Sequence, residues 1–279
     1  MRKKISILGC GWLGTALGSH FSSNGWIVKG SSASQNGLNQ LEKRGIDPYY
    51  IKVKPDTIEV DYMNFFNADV LVISLPPQRS DNVREVFPRQ IEQITGHIRK
   101  MEVPRVLFIS STSVYKNSNT TVLERDAGNP DKPVGYALLD AENILLGLNG
   151  INTSVVRFGG LIGSNRNPAK YLAHKKDVPA DAPVNLIHRK DCVKILSEII
   201  GQEKWGEVFN ACSPQHPTKR EFYSKAAQIS NLPIPGFTND TGNYKIVNSE
   251  KLIQQLGYTF YYPNPMNYLK ELEEWDPRI

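Results

Sequence analysis

Three groups of residues in this 279-residue chain combine types and spacings that could do chemistry. The first is Gly9, Gly11 and Gly14 in "ILGCGWLG", a G-x-G-x-x-G run between a short apolar stretch and a helical pattern. In that context Gly9 permits a tight turn, Gly11 lets the backbone approach a pyrophosphate, and Gly14 lets the helix pack closely on the strand. Trp12 and Leu13 fall in the same turn, where a helix N-terminus offers N–H groups and positive partial charge to phosphate oxygens. The second group is a cluster of hydroxyls, Ser110, Ser111, Thr112, Ser113 and Tyr115, which ends the apolar run "RVLFI". The third is "GYALLD", which places Tyr136 and Asp140 one turn apart on a shared helix face. A phenol at such a point could pass a proton, and Asp140 bears on how. Unit charges ~6 Å apart at an effective dielectric of ~20 interact by ~3 kcal/mol. An anion there opposes tyrosinate, so Tyr136 is better suited to donate a hydrogen bond than to act as a base. Asp140 could itself accept from ribose hydroxyls.

These groups need rigid elements behind them, and the hydrophobic pattern supplies them. "KKISILG" (3–9), "WIVKG" (26–30), "YYIKV" (49–53), "DVLVISLPP" (69–77), "RVLFISS" (105–111) and "TSVVRFG" (153–159) read as strands. Helical spacing at Leu13, Leu17 and Phe21 follows the first, and helices are expected at 37–45, 81–100 despite Pro88, and 134–148. Near-continuous apolar strands alternating with helices argue for an α/β fold, a doubly wound parallel sheet of the Rossmann type with both faces covered. Beyond residue 160 the pattern loosens into the polar, Pro-rich "GSNRNPAKYLAHKKDVPADAP". A helix at 189–202 and a strand at 206–211 return to the sheet; a helix in "PTKREFYSKAAQISN", a strand "YKIV" and a helix "SEKLIQQLG" follow. Residues 1–160 are therefore expected to form a dinucleotide-binding domain. Residues 161–279 would complete the sheet at about 188–212 and otherwise build a small, discontinuous C-terminal substrate lobe.

In such folds ligands sit beyond the carboxyl ends of the strands, which places the Ser110–Tyr115 hydroxyls at a crevice. "SLPP" ends another strand there, so Leu75 and Pro76 are expected against the adenosine or ribose, with a plain strand-ending turn as the other reading. NAD sites usually carry an acid after the second strand, yet "VKGSSASQNG" has none before Glu42. Ser31, Ser32 and Ser34 stand there with Lys29, an arrangement that would tolerate a ribose phosphate, so NADP is expected ahead of NAD.

The remaining composition mostly excludes. Hydrophobic residues at 40% and charged residues at 22% are globular values, and the net charge of +5 comes from scattered pairs and triplets of basic residues. That distribution is a solvated face, and no nucleic-acid partner is expected. Cys10, Cys192 and Cys212 are odd in number and far apart, which fits a reducing, cytoplasmic setting. The apolar run Ile5–Leu8 is too short for a signal core, and no run of ~18 apolar residues predicts a membrane span. The five histidines lack ligand spacing, so no metal is expected. No G-x-S-x-G elbow supports a hydrolase. His188 and Asp191 read as shaping a helix start, and Tyr244, Tyr258, Tyr261 and Tyr262 as packing the small lobe.

The strand ending in "SSTSVY", followed after a gap by a tyrosine that opens a helix, resembles the extended short-chain dehydrogenase/reductases, the NAD-dependent epimerase/dehydratase branch. "VVRFGGLIGSNRNP", "LIHRKDCVKIL", "GEVFNACSPQHPTKREF" and "KLIQQLGYTFYYP" extend the likeness over nearly the whole chain, and it is similar above all to the small, atypical bacterial YeeZ-type proteins. The resemblance implies catalytic roles for Ser111, polarising a substrate oxygen, and Tyr136, relaying its proton. It implies NAD(P) contacts at Ser110, Tyr136, Arg157, Gly159 and Gly160, a small hydroxylated substrate such as a nucleotide sugar, and a homodimer formed through helices flanking the sheet. The family's glycine pattern is G-x-x-G-x-x-G, and its lysine four residues after the tyrosine is Asp140 here. Lys132 is a nearby source of the missing charge. Two function classes follow: an NAD(P)-dependent oxidoreductase or epimerase/dehydratase, and a non-catalytic NAD(P)-binding sensor or scaffold. A β-hydroxyacid-type dehydrogenase is disfavoured, because it would follow the Rossmann domain with a largely helical one.

Overall fold

The computed structural model describes residues 2–60, 63–78 and 80–274. Its first half runs β1 (Lys4–Leu8), α1 (Trp12–Ser23), β2 (Ile27–Ser32), α2 (Gln35–Glu42), β3 (Asp47–Val53), β4 (Ile58–Val60), β5 (Val70–Ile73), α3 (Val83–Lys100) and β6 (Arg105–Ser111). It continues with β7 (Thr121–Val122), α4 (Pro133–Leu146), β8 (Asn152–Phe158), β9 (Gly160–Ile162), β10 (Val178–Pro179), β11 (Leu186–His188) and α5 (Arg189–Gly201). Then come β12 (Val208–Ala211), α6 (Lys219–Ile229), β13 (Phe237–Thr238), β14 (Ile246–Val247), α7 (Glu250–Leu256) and α8 (Pro265–Glu274).

Eight strands form one sheet in the order β12-β8-β6-β5-β1-β2-β3-β4. β1 pairs in parallel with both β2 and β5, at Ile5↔Val28 and Ile5↔Val70, whereas β4 runs antiparallel to β3. From β1 the chain winds outward first towards β3 and later, starting again at β5, towards β12. The reversal makes the β1/β5 boundary the topological switch point, where such sheets bind ligands. Burial explains the strand composition: Ile5, Ile7, Leu8, Leu71, Val72 and Ile73 have no solvent exposure, as a sheet covered on both faces requires. Ser6 is tolerated among them because its hydroxyl donates to the Phe65 carbonyl at 2.5 Å.

The helices follow the same logic. α1 buries Leu13, Leu17 and Phe21 on one face, and Gly25, at a φ of 80°, turns the chain into β2. α2 starts two residues before the expected 37, because the Ser34 side chain caps it by accepting from the Gly37 N–H. α3 keeps Pro88 in its second turn while burying Phe87, Ile91, Ile94 and Ile98. α8 is an addition to the elements that the hydrophobic pattern announces.

The chain divides into two compact units. One comprises Met1–Val114, Gly128–Arg157 and Val193–Phe209, and the other Tyr115–Ala127, Phe158–Cys192 and Asn210–Ile279. In the second, two-residue and three-residue strands pair as β11 with β9, β10 with β13 and β14 with β7, all parallel. Its core gathers Ile162, Leu186, Phe222, Tyr262, Tyr268 and Leu269. Among the described residues no helix is long and apolar enough to cross a membrane.

Candidate active site

The glycine loop leaves β1 at the switch point and is held from two sides. From β2, the Ser31 hydroxyl accepts from the Gly9 N–H at 2.8 Å and the Ser31 carbonyl accepts from the Cys10 N–H at 2.8 Å. From β5, Ser74 and Leu75 press against Gly9, where a Cβ would lie 2.9 Å from both the Ser74 carbonyl and Leu75 Cδ2. Gly9 also has a φ of 94°, so both its conformation and its surroundings demand glycine. A Cβ on Gly14 would lie 2.5 Å from the Gly9 carbonyl, which fixes how closely α1 sits on the turn. Gly11 differs, for a Cβ there would meet no protein atom within 4 Å. It is the N-cap of α1, no side chain caps the helix, and the first turn contains no acid. The positive end of α1 therefore stands over an open cradle at Gly11, which suits a phosphate group. Trp12 is half-buried at the start of α1 and Leu13 is buried beneath it. Leu75 is half-buried and Pro76 exposed.

Around the expected ribose position the structure separates residues that sequence treats alike. Ser31 is 2% exposed and engaged with the loop, so its hydroxyl is a clamp rather than a phosphate donor. Lys29 turns inward and donates to the Asn64 carbonyl at 2.6 Å and the Asn67 carbonyl at 2.9 Å, so its charge is not offered to a ribose phosphate either. Ser32 remains half-buried beside the N-terminus of α2, sharing hydrogen bonds with Ser34.

At the end of β6 the hydroxyls also part company. Ser110 is buried and donates to Glu142 Oε1 at 2.5 Å. Arg157 on β8 grips the same carboxylate through Nη2 at 2.6 Å and through Nε at 3.1 Å. Ser110, Glu142 and Arg157 form a buried charged triad that ties β6, α4 and β8 together. Ser110 and Arg157, expected at the cofactor, thus have their side chains committed to the core. Ser111 is half-buried, and its Oγ accepts from the Ser113 N–H at 3.2 Å, which leaves its own proton to be donated. Tyr115 departs from the expectation of a crevice hydroxyl. It is 1% exposed, and its hydroxyl donates to Asn210 Oδ1 at 2.6 Å.

Tyr136 is brought to this corner by the residue before it. A Cβ on Gly135 would lie 2.4 Å from the Ser113 carbonyl and 2.5 Å from Pro130 Cβ, so glycine allows the start of α4 to press on the end of β6. Pro133 opens the helix, as its fixed φ favours. Tyr136 and Asp140 are both half-buried on one face of α4. A cation that the sequence does not suggest lies over the phenol. The Arg84 guanidinium of α3 stacks 4.3 Å from the ring centroid, while Lys132 is exposed at the N-cap of α4.

Gly159 and Gly160 belong to the second unit, where a Cβ on Gly159 would lie 2.9 Å from the Asn185 carbonyl and 3.1 Å from Cys212 Sγ. In the same unit His188 Nδ1 accepts from the Lys190 N–H, and its ring packs 4.2 Å from that of Tyr262. Asp191, fully buried, accepts from the Tyr258 hydroxyl at 2.8 Å and from the N–H groups of Tyr261 and Tyr262. His188 shapes the start of α5, as expected, whereas the Asp191 carboxylate is spent on the Tyr258–Tyr262 segment rather than on the helix start. Tyr258 and Tyr262 pack the lobe, whereas Tyr261 is 62% exposed. Among the described residues no group of His, Cys, Asp or Glu could hold a metal ion.

Burial pushes the Asp191 carboxyl above its usual range, and its three donors pull it back in part. A carboxyl raised by folding holds its proton more tightly in the folded state. Its contribution to stability is complete below the unfolded-state value and is lost as pH rises through the folded value. The stability advantage of the wild type over Asp191→Asn is therefore expected to be largest near pH ~4 and to shrink towards neutrality. Urea midpoints across that range test this, and an advantage that grows with pH would contradict it.

No family model matches the chain. The protein YeeZ of Escherichia coli K12 is 33% identical over 268 residues, covering 95% of this chain and 98% of that one. Among solved structures, UDP-N-acetylglucosamine 4-epimerase from Bacillus cereus superposes with a TM-score of 0.78 at 18% identity, over 98% of this chain and 96% of that one. The dTDP-glucose 4,6-dehydratase from Bacillus anthracis, solved in complex with NAD, gives 0.77 at 13% identity, over 99% and 98%. The chain therefore belongs to the YeeZ family, and its fold is the Rossmann-type fold of these epimerase and dehydratase structures.

Proposed function

We propose that the protein is an NAD(P)-dependent oxidoreductase or epimerase/dehydratase acting on a small hydroxylated substrate, with nucleotide sugars as the substrate class. The observation that carries this reading is the open cradle at Gly11 under the uncapped N-terminus of α1, with a serine hydroxyl and a phenol at the neighbouring β6–α4 corner. The fold relatives support it, since one acts on a UDP-sugar and another is a dTDP-sugar dehydratase holding NAD. Gly9, Gly11, Trp12, Leu13 and Gly14 would seat the pyrophosphate; Ser32, Leu75 and Pro76 would line the adenosine end; Asp140 would accept from ribose hydroxyls. A bound nicotinamide supplies the acceptor and donor of hydride. Ser111 would donate its free proton to the substrate oxygen, and Tyr136 would move a proton to or from that oxygen, with Arg84 over its ring as the nearby positive charge. NADP is favoured by the lack of a carboxylate at the end of β2, not by a dedicated cation.

Calorimetric titration of NADP⁺ and NAD⁺ into cofactor-stripped protein is the first test. Micromolar binding of either is expected, and binding of neither would overturn the assignment. Tyr136→Phe is then expected to abolish turnover of a nucleotide-sugar substrate while weakening dinucleotide binding far less; surviving turnover would remove Tyr136 from the mechanism. Asp140 favours a second reading, a non-catalytic NAD(P)-binding sensor. It is distinguished by tight dinucleotide binding without turnover on any nucleotide sugar tried.

A further inference from the structure

At the opposite end of the same sheet, four neighbouring strands begin around a cavity of about 300 Å³. Lys3 precedes β1, Trp26 precedes β2, Asp69 precedes β5 and Arg105 opens β6; the end of α5 and the turn after it add Ile200, Glu203 and Trp205. β1 is five residues long, so the cavity is separated from the glycine loop by roughly 17 Å of strand. It is a different place, and its chemistry is different.

Its walls are aromatic and its charge is positive. Trp26 and Trp205 contribute two indoles, and the Lys3 ammonium lies 5.5 Å from the centroid of the Trp26 ring. Arg2, Lys3 and Arg105 bring three cations against the carboxylates of Asp69 and Glu203. Both carboxylates are already engaged. Asp69 Oδ2 accepts from the Lys4 backbone N–H at 2.7 Å, and Glu203 makes a long 3.5 Å pair with Arg105 Nη2. Two N–H donors among the lining residues, Arg105 Nε and Trp205 Nε1, are shielded from water and have no acceptor. A shielded donor without an acceptor is costly, and here two occur in residues lining one cavity.

We propose that this cavity is a second ligand site, which takes a small planar aromatic anion. The ring would sit between the indoles, and the anionic group would accept from Arg105 and from the Trp205 N–H after a small movement of those side chains. Indole faces favour a planar ring, the excess of cations favours negative charge, and the orphaned donors call for an acceptor. The volume lies at the lower end of the roughly 300–1,000 Å³ typical of small-molecule pockets, which limits the ligand to one or two fused rings. None of this depends on the catalytic reading, because no residue is shared with the glycine loop or the β6–α4 corner.

The test is a titration of the full-length protein with naphthoate, and with naphthalenemethanol as its uncharged counterpart, followed through the indole N–H signals in proton–nitrogen correlation spectra. Trp26→Phe and Trp205→Phe serve only to assign the signals. Naphthoate is expected to shift the Trp205 and Trp26 signals together, saturably and with one dissociation constant, and the alcohol to bind about tenfold more weakly or worse. Arg105→Gln should erase the preference for the anion. A Trp205 signal unmoved by millimolar naphthoate overturns the site, and so does a shift confined to Trp12, which would place the probe at the glycine loop. Equal affinities for acid and alcohol overturn the assignment of an anionic ligand.

Discussion

Gly11→Ala is expected to leave the fold intact and to weaken dinucleotide binding by about a hundredfold or more, close to 3 kcal/mol. The added methyl meets no protein atom within 4 Å, so the only object it can strike is whatever the loop binds. Gly14→Ala provides the contrast. Its methyl would lie 2.5 Å from the Gly9 carbonyl and 3.3 Å from Ile7 Cγ2, both inside the protein, and backbone cannot yield as a flexible side chain can. That variant should lose both affinity and stability, the latter by about 1–3 kcal/mol, as α1 is lifted from the turn. Calorimetry with NADP⁺ and NAD⁺ beside urea denaturation separates the two effects. If Gly11→Ala binds as tightly as wild type, the phosphate seat is elsewhere.

Glu142→Ala should destabilise the protein more than Gly14→Ala does, by about 3–5 kcal/mol. The carboxylate is almost fully enclosed and serves the Ser110 hydroxyl and the Arg157 guanidinium at once, so its removal takes the anion and the shared acceptor from both in the core. A fall of about 5–9 °C in the thermal midpoint corresponds to that range for a chain of this size. The double variant Glu142→Ala/Arg157→Ala is expected to be less destabilised than the sum of the two single variants, because the two charges of the pair are removed together. Strict additivity would mean that the three groups do not act as a unit. The triad joins β6 to α4, so the single variant should also loosen the Ser111–Tyr136 corner and lower turnover beyond what the fraction unfolded accounts for.

How far a feature is legible in the sequence depends on how local its signal is. The turn from β1 into α1 can be read from a few consecutive residues, since the glycine spacing encodes the turn, the approach and the packing together. The start of α4 is similarly plain from Pro133, Gly135 and the helical run behind them. Glu142 is not legible, because on a helix it looks like an ordinary solvated charge and its partner lies on another element, 15 residues away. Arg84 over Tyr136 is hidden in the same way, by the packing of α3 on α4. Lys29 lies in the strand that the sequence indicates and Ser31 one residue past its expected end, but the environment of both is the interior of the fold rather than a ribose. α8 is masked because Pro263 and Pro265 read as punctuation, although Pro265 only opens the helix and Tyr268 and Leu269 then bury. The two-residue strands of the second unit are too short to show any period at all.

The clamp from Ser31 to Gly9 has a consequence for how this protein can change its diet of coenzymes. Residues 31 and 32 are adjacent in the chain, yet one is built into the support of the loop and, on the proposed reading, the other faces the ribose. A carboxylate at residue 32 would add an acceptor at the rim and leave the turn alone. The same carboxylate at residue 31 would be forced into an enclosed space built for a hydroxyl, and would distort the loop on which every dinucleotide, phosphorylated or not, must rest. On that reading, adaptation towards either coenzyme would run through residue 32, while residue 31 is fixed by architecture.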